Sequence, residues 1–309
     1  MTLKKHSMAK SLTWGECRDH TLRTLDTWRH GGGRESAILY SGYFNEYQGE
    51  GFPVHRITKP LMTELCIQLE EDKGIKNSTI NRFISAVSTV LKYCKDEDMI
   101  KFDLPTPFKR RNEKKGKTKR KYFTKDQVKE MEHIARNVMC NDNLGDIIKF
   151  AALTGMRIDE IIKLPAWRVD FNLRVINVEG TKGYDPRTIP IHASLMPTLI
   201  SRCEDCTDKG QPDVKIFGND WGKSDNRKSK ADAVRNQFNN ILFRYMKLPD
   251  DGRYVFHCLR HTFATWHLAQ GTPPLELMAM LGHKNLATTL EYAHATSEGQ
   301  RAAQDKLEY

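Results

Sequence analysis

Thirteen residues near the middle of the chain constrain its fold more than any other segment. From Lys109 to Lys121 the sequence reads KRRNEKKGKTKRK, nine Lys or Arg against one Glu. It follows Pro105 and Pro107 and has no large apolar residue except Phe108 at its edge. So dense a like charge predicts an extended segment that does not fold onto a core. A chain of 309 residues cut this way reads as two domains. The expected division is a basic N-terminal tail over 1–10, a helical domain over 11–104, a basic linker over 105–121 and a second domain over 122–309.

The strip holds +8 of a formal net charge of +10, so the basic character is concentrated there. Such an excess points to a polyanion, either nucleic acid or an acidic membrane surface. The strip is then either a solvated spacer or a strap along phosphates, where each neutralised phosphate releases counterions. The motifs downstream favour the strap, with Lys114, Lys115, Lys117, Lys119, Arg120 and Lys121 as phosphate contacts. No run of about 18 apolar residues is present, and no membrane partner is expected. Lys4, Lys5 and Lys10 are followed by no apolar stretch, so no secretory signal is read. The seven cysteines are odd in number and scattered, which fits reduced thiols in a cytoplasmic protein. Cys203 and Cys206 form a lone C-x-x-C without a second pair at zinc spacing, so no metal site is expected.

Periodicity predicts helices on both sides of the strip. Trp14, Cys17, Thr21, Leu22 and Leu25 recur at helical spacing, with Ser11 or Thr13 as N-cap. A helix over Ile57 to Leu69 follows the Gly51–Phe52–Pro53 turn. Between Ser78 and Tyr93, Ile80, Phe83, Ile84, Val87, Val90 and Leu91 form one stripe. Asn81, Arg82, Ser85, Ser88 and Lys92 form the opposite face, which meets water or DNA; Arg82 is the DNA contact expected there. Further on, Thr124 and Gln127 suit a capping box, with Val128, Met131, Ile134, Ala135 and Val138 on the buried side. A helix through Ile147, Ile148, Ala151 and Leu153 stops at Gly155, and another begins near Arg157. Arg174 to Glu179 and Arg187 to Ile191 read as a β-hairpin around a turn-rich loop. Helices return over Ala193 to Cys203, Lys230 to Lys247, His261 to Gln270, Pro274 to Leu281 and Leu286 to Tyr292. The fold class is mainly α with a small β-sheet, the sheet belonging to an α+β C-terminal domain.

Four islands in the second half hold residues that phosphate chemistry needs. Arg157 stands at a helix start after the glycine of Thr154–Gly155–Met156, where backbone N–H groups also point outward. Lys182 sits at the hairpin tip. His257 and Arg260 lie one helical turn apart. Leu281–Gly282–His283 is followed nine residues later by Tyr292. Each alone has an ordinary reading as a cap, a salt-bridge partner or a core residue; their order in one domain beside a basic strip is what points to a site.

The segments LTGMRIDEI, GTKGYDPRTIPI, HCLRHTFATWHLAQG and LGHKNLATTLEYAH together resemble the tyrosine recombinases of the phage integrase family. The likeness runs from about Ser11 to His294 and is strongest from Leu153 onward. It implies an N-terminal helical, SAM-like core-binding domain and a C-terminal tyrosine recombinase catalytic domain. It also implies roles: Arg157 and Arg260 as paired arginines, Lys182 as the hairpin lysine, His257 and His283 as the two histidines, Tyr292 as nucleophile and Glu160 as the acid bracing the site. One departure is at the front, where Met1 to Lys10 is too short for the arm-site DNA-binding domain that some integrases carry.

The chemistry suits these residue types. A phenol titrates near 10, so Tyr292 needs a base or a positive field to attack phosphorus. Two guanidiniums can hold the non-bridging oxygens of the transition state, and His283 can donate a further hydrogen bond. Lys182 suits protonation of the departing 5′ oxygen, and His257 assists at the tyrosine side. A 3′-phosphotyrosine keeps the phosphodiester energy, so neither cofactor, metal nor ATP is expected. The implied partners are duplex DNA at att-like core sites, a homotetramer on paired sites and accessory bending or directionality factors, in a bacterial host cytoplasm. The element moved would be a phage or another mobile element. Ala293 to Tyr309 reads either as a frayed tail or as a segment docking on an adjacent protomer. The rivals are a type IB topoisomerase, a non-catalytic DNA-binding regulator and an endonuclease. The short chain, the complete residue set and the lack of an acidic metal cluster weigh against them in turn.

Overall fold

The computed structural model describes residues 11–113, 120–180, 185–207, 213–218, 221 and 227–292. The chain divides into two compact units, Met1–Lys117 and Thr118–Tyr309.

The first unit is helical: α1 (Trp14–Thr24), α2 (Asp26–Arg29), α3 (Gly31–Gln48), α4 (Lys59–Lys73) and α5 (Asn77–Asp96). Thr13 begins α1, accepting from the Glu16 N–H while the Glu16 carboxylate takes the Thr13 N–H at 2.9 Å. The Thr58 hydroxyl caps α4, and Gly74, with φ +59, ends it in the left-handed region. The apolar stripe of α5 is buried throughout and packs with Trp14, Phe44, Met62 and Leu69 into one core.

Two expectations for this unit are corrected. Asn81, placed on the outward face of α5, is buried, and the opening of the basic strip is docked rather than extended. Phe108 is buried in the core. Beyond it, the Asn81 side-chain amide brackets the Arg111 backbone, accepting its N–H at 2.8 Å and donating to its carbonyl at 2.9 Å. Asn77 donates to the Asn112 carbonyl, and Arg110 to the Ser85 hydroxyl at 2.6 Å. A buried side-chain amide satisfies a backbone donor and acceptor as a neighbouring strand would, so charged residues are held without apolar side chains.

The second unit runs α6 (Lys125–His133), α7 (Asp142–Thr154), α8 (Ile158–Lys163), β1 (Val169–Asp170), β2 (Val175–Val178), β3 (Arg187–Pro190), α9 (Met196–Thr207), α10 (Arg227–Asn239), α11 (Cys258–Ala269), α12 (Pro274–Leu281) and α13 (Leu286–Leu290). The sheet is antiparallel in the order β1-β2-β3, with Ile176 opposite Ile189 and Val178 opposite Arg187. The buried helix α7 carries Ile147, Ile148, Phe150 and Ala151 into a core shared with Phe123, Phe238 and Leu259. Thr124 and Gln127 form the expected capping box of α6. Val138 does not stay on the buried side: the helix widens into a π turn over Ile134–Val138, which rotates the last position outward and leaves Val138 51% exposed. Among the described residues no helix is long and apolar enough to cross a membrane, and no cluster of His, Cys, Asp and Glu could hold a metal ion.

Candidate active site

Three chain segments meet around one arginine. Helix α7 ends at Gly155, whose φ of +63 favours glycine. Space demands glycine too, since a Cβ there would lie 2.6 Å from the Phe263 ring and 3.0 Å from Leu281. The carbonyl of Gly155 accepts from Arg260 Nη1 at 2.8 Å, and that of Leu281, the last residue of α12, accepts from Nη2 at 2.6 Å. Helix C-termini leave carbonyls without intrahelical donors, and Arg260 serves two of them while 2% exposed. It is therefore both a cation of the site and a structural tie.

Arg157 stands at the N-cap of α8. Its N–H donates to Glu160 Oε2 at 2.9 Å, and its Nη1 to Glu160 Oε1 at 3.1 Å. The side chain of Glu160 is 7% exposed. Burial alone would raise its carboxyl, but hydrogen bonds and charge from Arg187, together with the amide and charge of Arg157, bring it below the ordinary carboxylate range.

Gly282, with φ +68, turns the chain out of α12 and presents His283. The His283 Nδ1 hydrogen-bonds the buried Thr289 hydroxyl at 2.8 Å, which orients the ring. Burial and then the charges of Arg260, Arg157 and Arg187 push His283 down to about 4. Tyr292, 8% exposed, packs with Phe263, Leu277 and Leu281. The His261 ring meets it edge-on, with centroids 5.0 Å apart, and the His283 ring stacks at 6.2 Å. Burial raises the phenol above its ordinary value; Arg260, which hydrogen-bonds it, and Arg157 pull the other way without prevailing. The nucleophile candidate is thus protonated at neutral pH in this structure.

His257 precedes α11, which begins at Cys258 rather than at His261. Its ring lies 5.3 Å from that of His261. By surface area His257 is open to solvent, yet the surrounding protein, followed by His261, Arg260, Arg120 and Arg157, presses it down to about 3. Three arginines, Arg260, Arg120 and Arg157, thus act on the ring in the same direction as burial. Arg260 itself falls to about 10 through burial and then Arg157 and Arg187, and stays cationic at neutral pH. A cleft of about 170 Å³ over these groups is lined by Arg157, Asp159, Arg235, His257 and Arg260 among others.

The structure thus brings together Arg157, Glu160, His257, Arg260, His283 and Tyr292. Lys182 lies outside the described residues, as do Lys114, Lys115, Lys117, Lys119 and the segment 293–309. Arg120 is exposed and its charge reaches His257, while the Lys121 N–H is held by the Arg253 carbonyl at 3.0 Å. In the first unit Arg82 donates to the Tyr40 hydroxyl at 2.9 Å and lies over its ring.

Sequence reasoning missed Arg187, His261 and Thr289. Arg187 left a trace: it stands two residues before the inward Ile189, and an inward arginine on a strand needs a buried acid. His261 lies four residues after His257, one helical turn along. No comparable signal marks Thr289.

Residues 121–298 match the model of the phage integrase family. The tyrosine recombinase XerA of Thermococcus onnurineus is 26% identical over 272 residues, 87% of each chain. Among solved structures, the Tn1549 transposon integrase in complex with transposon right end DNA superposes with a TM-score of 0.71 at 18% identity, covering 96% of this chain and 99% of that one. The lambda integrase tetramer bound to a Holliday junction gives 0.67 at 17% identity, covering 97% and 80%. With the family model matched over more than half its length, the chain belongs to the phage integrase family of tyrosine-type site-specific recombinases.

Proposed function

We propose that this recombinase cuts and rejoins duplex DNA at att-like core sites through a 3′-phosphotyrosine on Tyr292, to integrate or excise a phage or mobile element. The observation that carries the reading is the packing of the Tyr292 ring against His261 and His283, from separate segments, where the charges of Arg260 and Arg157 also reach the phenol. A DNA phosphate bound between the guanidiniums would share their charge. The phenolic oxygen attacks phosphorus, its proton passes to a neutral histidine at the tyrosine side, and the bond to the 5′ oxygen breaks. Lys182 supplies the proton to that oxygen, and His283 donates to a non-bridging oxygen. Reversal by a new 5′ hydroxyl expels Tyr292 and reseals the strand, so no ATP is consumed. Arginines do the charge stabilisation that divalent ions perform in other phosphoryl transfers, and the reading needs no metal.

Likeness in fold to a transposon integrase and to a lambda integrase tetramer supports a mobile-element role and a tetramer on two sites. Four strand cleavages also require four nucleophiles. The expected setting is a bacterial cytoplasm, with accessory bending or directionality factors setting direction. The test is a suicide substrate nicked beside the cleavage site. It should trap a covalent adduct whose peptide maps to Tyr292, in EDTA as in buffer, and Tyr292→Phe should bind the DNA and trap nothing. An adduct on Tyr254 or Tyr309, or a strict magnesium requirement, would overturn the reading.

A further inference from the structure

One nearly buried arginine among the described residues of the second unit plays no part in the reaction scheme above. Arg187 opens strand β3 and its side chain is 4% exposed. Its Nη1 donates to Glu160 Oε1 at 3.1 Å and its Nη2 to Oε2 at 2.7 Å, a bidentate fork on a nearly buried carboxylate. Its Nε donates to the Met280 carbonyl at 2.9 Å, near the end of α12. Its stem lies under Gly282, where a Cβ would come within 2.8 Å of Cδ. One side chain thereby joins strand β3, the acid that holds Arg157 and the turn that presents His283.

The charges explain why an arginine stands there. Arg157 and Arg187 both donate to Glu160, and Arg260 feels the charge of the same carboxylate, so these three guanidiniums exceed it by two positive charges. Without Arg187, Glu160 would turn to Arg157 alone, and a buried ion pair would hold the guanidinium and offset the charge that a phosphate needs. We propose that Arg187 is a positioning residue of the recombination site: by sharing both oxygens of Glu160 with Arg157, it loosens the carboxylate's hold on the Arg157 guanidinium and leaves that charge available to the scissile phosphate. This rests on the recombinase reading.

Charge balance and mere support of the fold make different predictions. Arg187→Met should lower the cleavage rate at saturating DNA by about 10²-fold, the scale of losing one donor to the transition state. DNA affinity should change by only a few-fold. Adding Glu160→Gln to that variant removes the carboxylate that captures Arg157, and should restore the rate at least tenfold. A purely structural tie would make the double variant no faster than the single one. Arg187→Lys keeps the charge but loses the fork; should the Met variant not fold, the Lys variant should still cleave within about tenfold of wild type if charge balance is what Arg187 supplies, and a loss of about 10²-fold or more would overturn that role.

A second measurement uses no DNA. Glu160 has a lowered carboxyl, so its stabilisation is present above its unfolded value and lost as pH falls through the folded one. Arg187→Met should move that loss to higher pH, even with Arg157 and Arg260 still beside the carboxylate, and Glu160→Gln should abolish the shift. Wild-type protein that traps no Tyr292 adduct overturns the recombinase reading. Normal trapping, with no recovery in the double variant and no shift on the acid limb, overturns the role of Arg187 alone.

Discussion

Arg260 donates to the carbonyl of Gly155 at 2.8 Å, across 105 residues of chain, and so fastens the end of α7 to the start of α11. A group placed to hold phosphate oxygens is thus also a group on which a helix terminus depends. Arg157, at the edge of the cleft with its side chain 23% exposed, donates instead to the carboxylate of Glu160 at 3.1 Å. The two arginines should separate in experiment. Arg260→Ala leaves two buried carbonyls without this donor, at about 1–3 kcal/mol each, and should lower the melting temperature as well as the cleavage rate. Arg157→Ala should lose a similar factor in rate, about 10²–10³, with a smaller drop in melting temperature, because Arg187 still holds both oxygens of Glu160. Equal melting losses in both would contradict the tie.

The depressed histidines make stability depend on pH. His283 titrates near 6.5 when unfolded and near 4 in the fold. Below the unfolded value the unfolded chain binds a proton that the native state refuses, so stability falls as pH drops from 6.5 toward 4. With solvent screening discounted, this amounts to about 2 kcal/mol. His257 acts in the same direction. Denaturant unfolding at pH 7 and pH 5 should show the loss, and His283→Gln should reduce it. A flat profile in the wild-type protein would count against the buried, cation-crowded setting of that ring.

The docked opening of the basic strip has its own signature. Asn81→Ala removes three side-chain hydrogen bonds to Arg111 and Glu113. Trypsin should then cut at Arg110 and Arg111 at least several-fold faster, while the core packed around Phe83 and Leu91 keeps the unit folded. An unchanged cutting rate would mean that Phe108, Asn77 and the Arg110–Ser85 contact secure the segment without Asn81.

For the rest of the strip the measurement is salt dependence. Replacing Lys114, Lys115, Lys117 and Lys119 by Gln should flatten the plot of log affinity against log salt by about 0.9 per phosphate contact removed. A slope equal to that of the wild-type protein would make these lysines a spacer.

What could be read before the fold was known follows from how local each signal is. Thr13 with Glu16 and Thr124 with Gln127 are caps completed within four residues, and both start helices where the spacing predicts. Gly155 and Gly282 stop helices for the same local reason. Helix α3 carries no such local signal, because it opens on Gly31, Gly32 and Gly33 without a side-chain cap. Val138 was misplaced because nothing in its neighbours announces a π turn. Asn81 and Arg187 depend on partners tens of residues away, so periodicity assigns them to a face without saying what waits there. Arg260 could be picked out as a cation, whereas its hold on Gly155 and Leu281 could not.

Glu160 offsets one of three crowded guanidiniums, and burial together with the charges of Arg157 and Arg187 lowers the hold of Arg260 on its proton. Before any DNA arrives, the folded protein therefore works against its own electrostatics at its centre. An oxyanion of any kind relieves that crowding, which makes a simple anion a ligand of the fold as well as of the site. Sulfate or inorganic phosphate should raise the melting temperature more than chloride at equal ionic strength, and the increment should shrink in Arg157→Ala. Free protein would then be at its least stable when its site is empty, and DNA would bring rigidity along with the reaction.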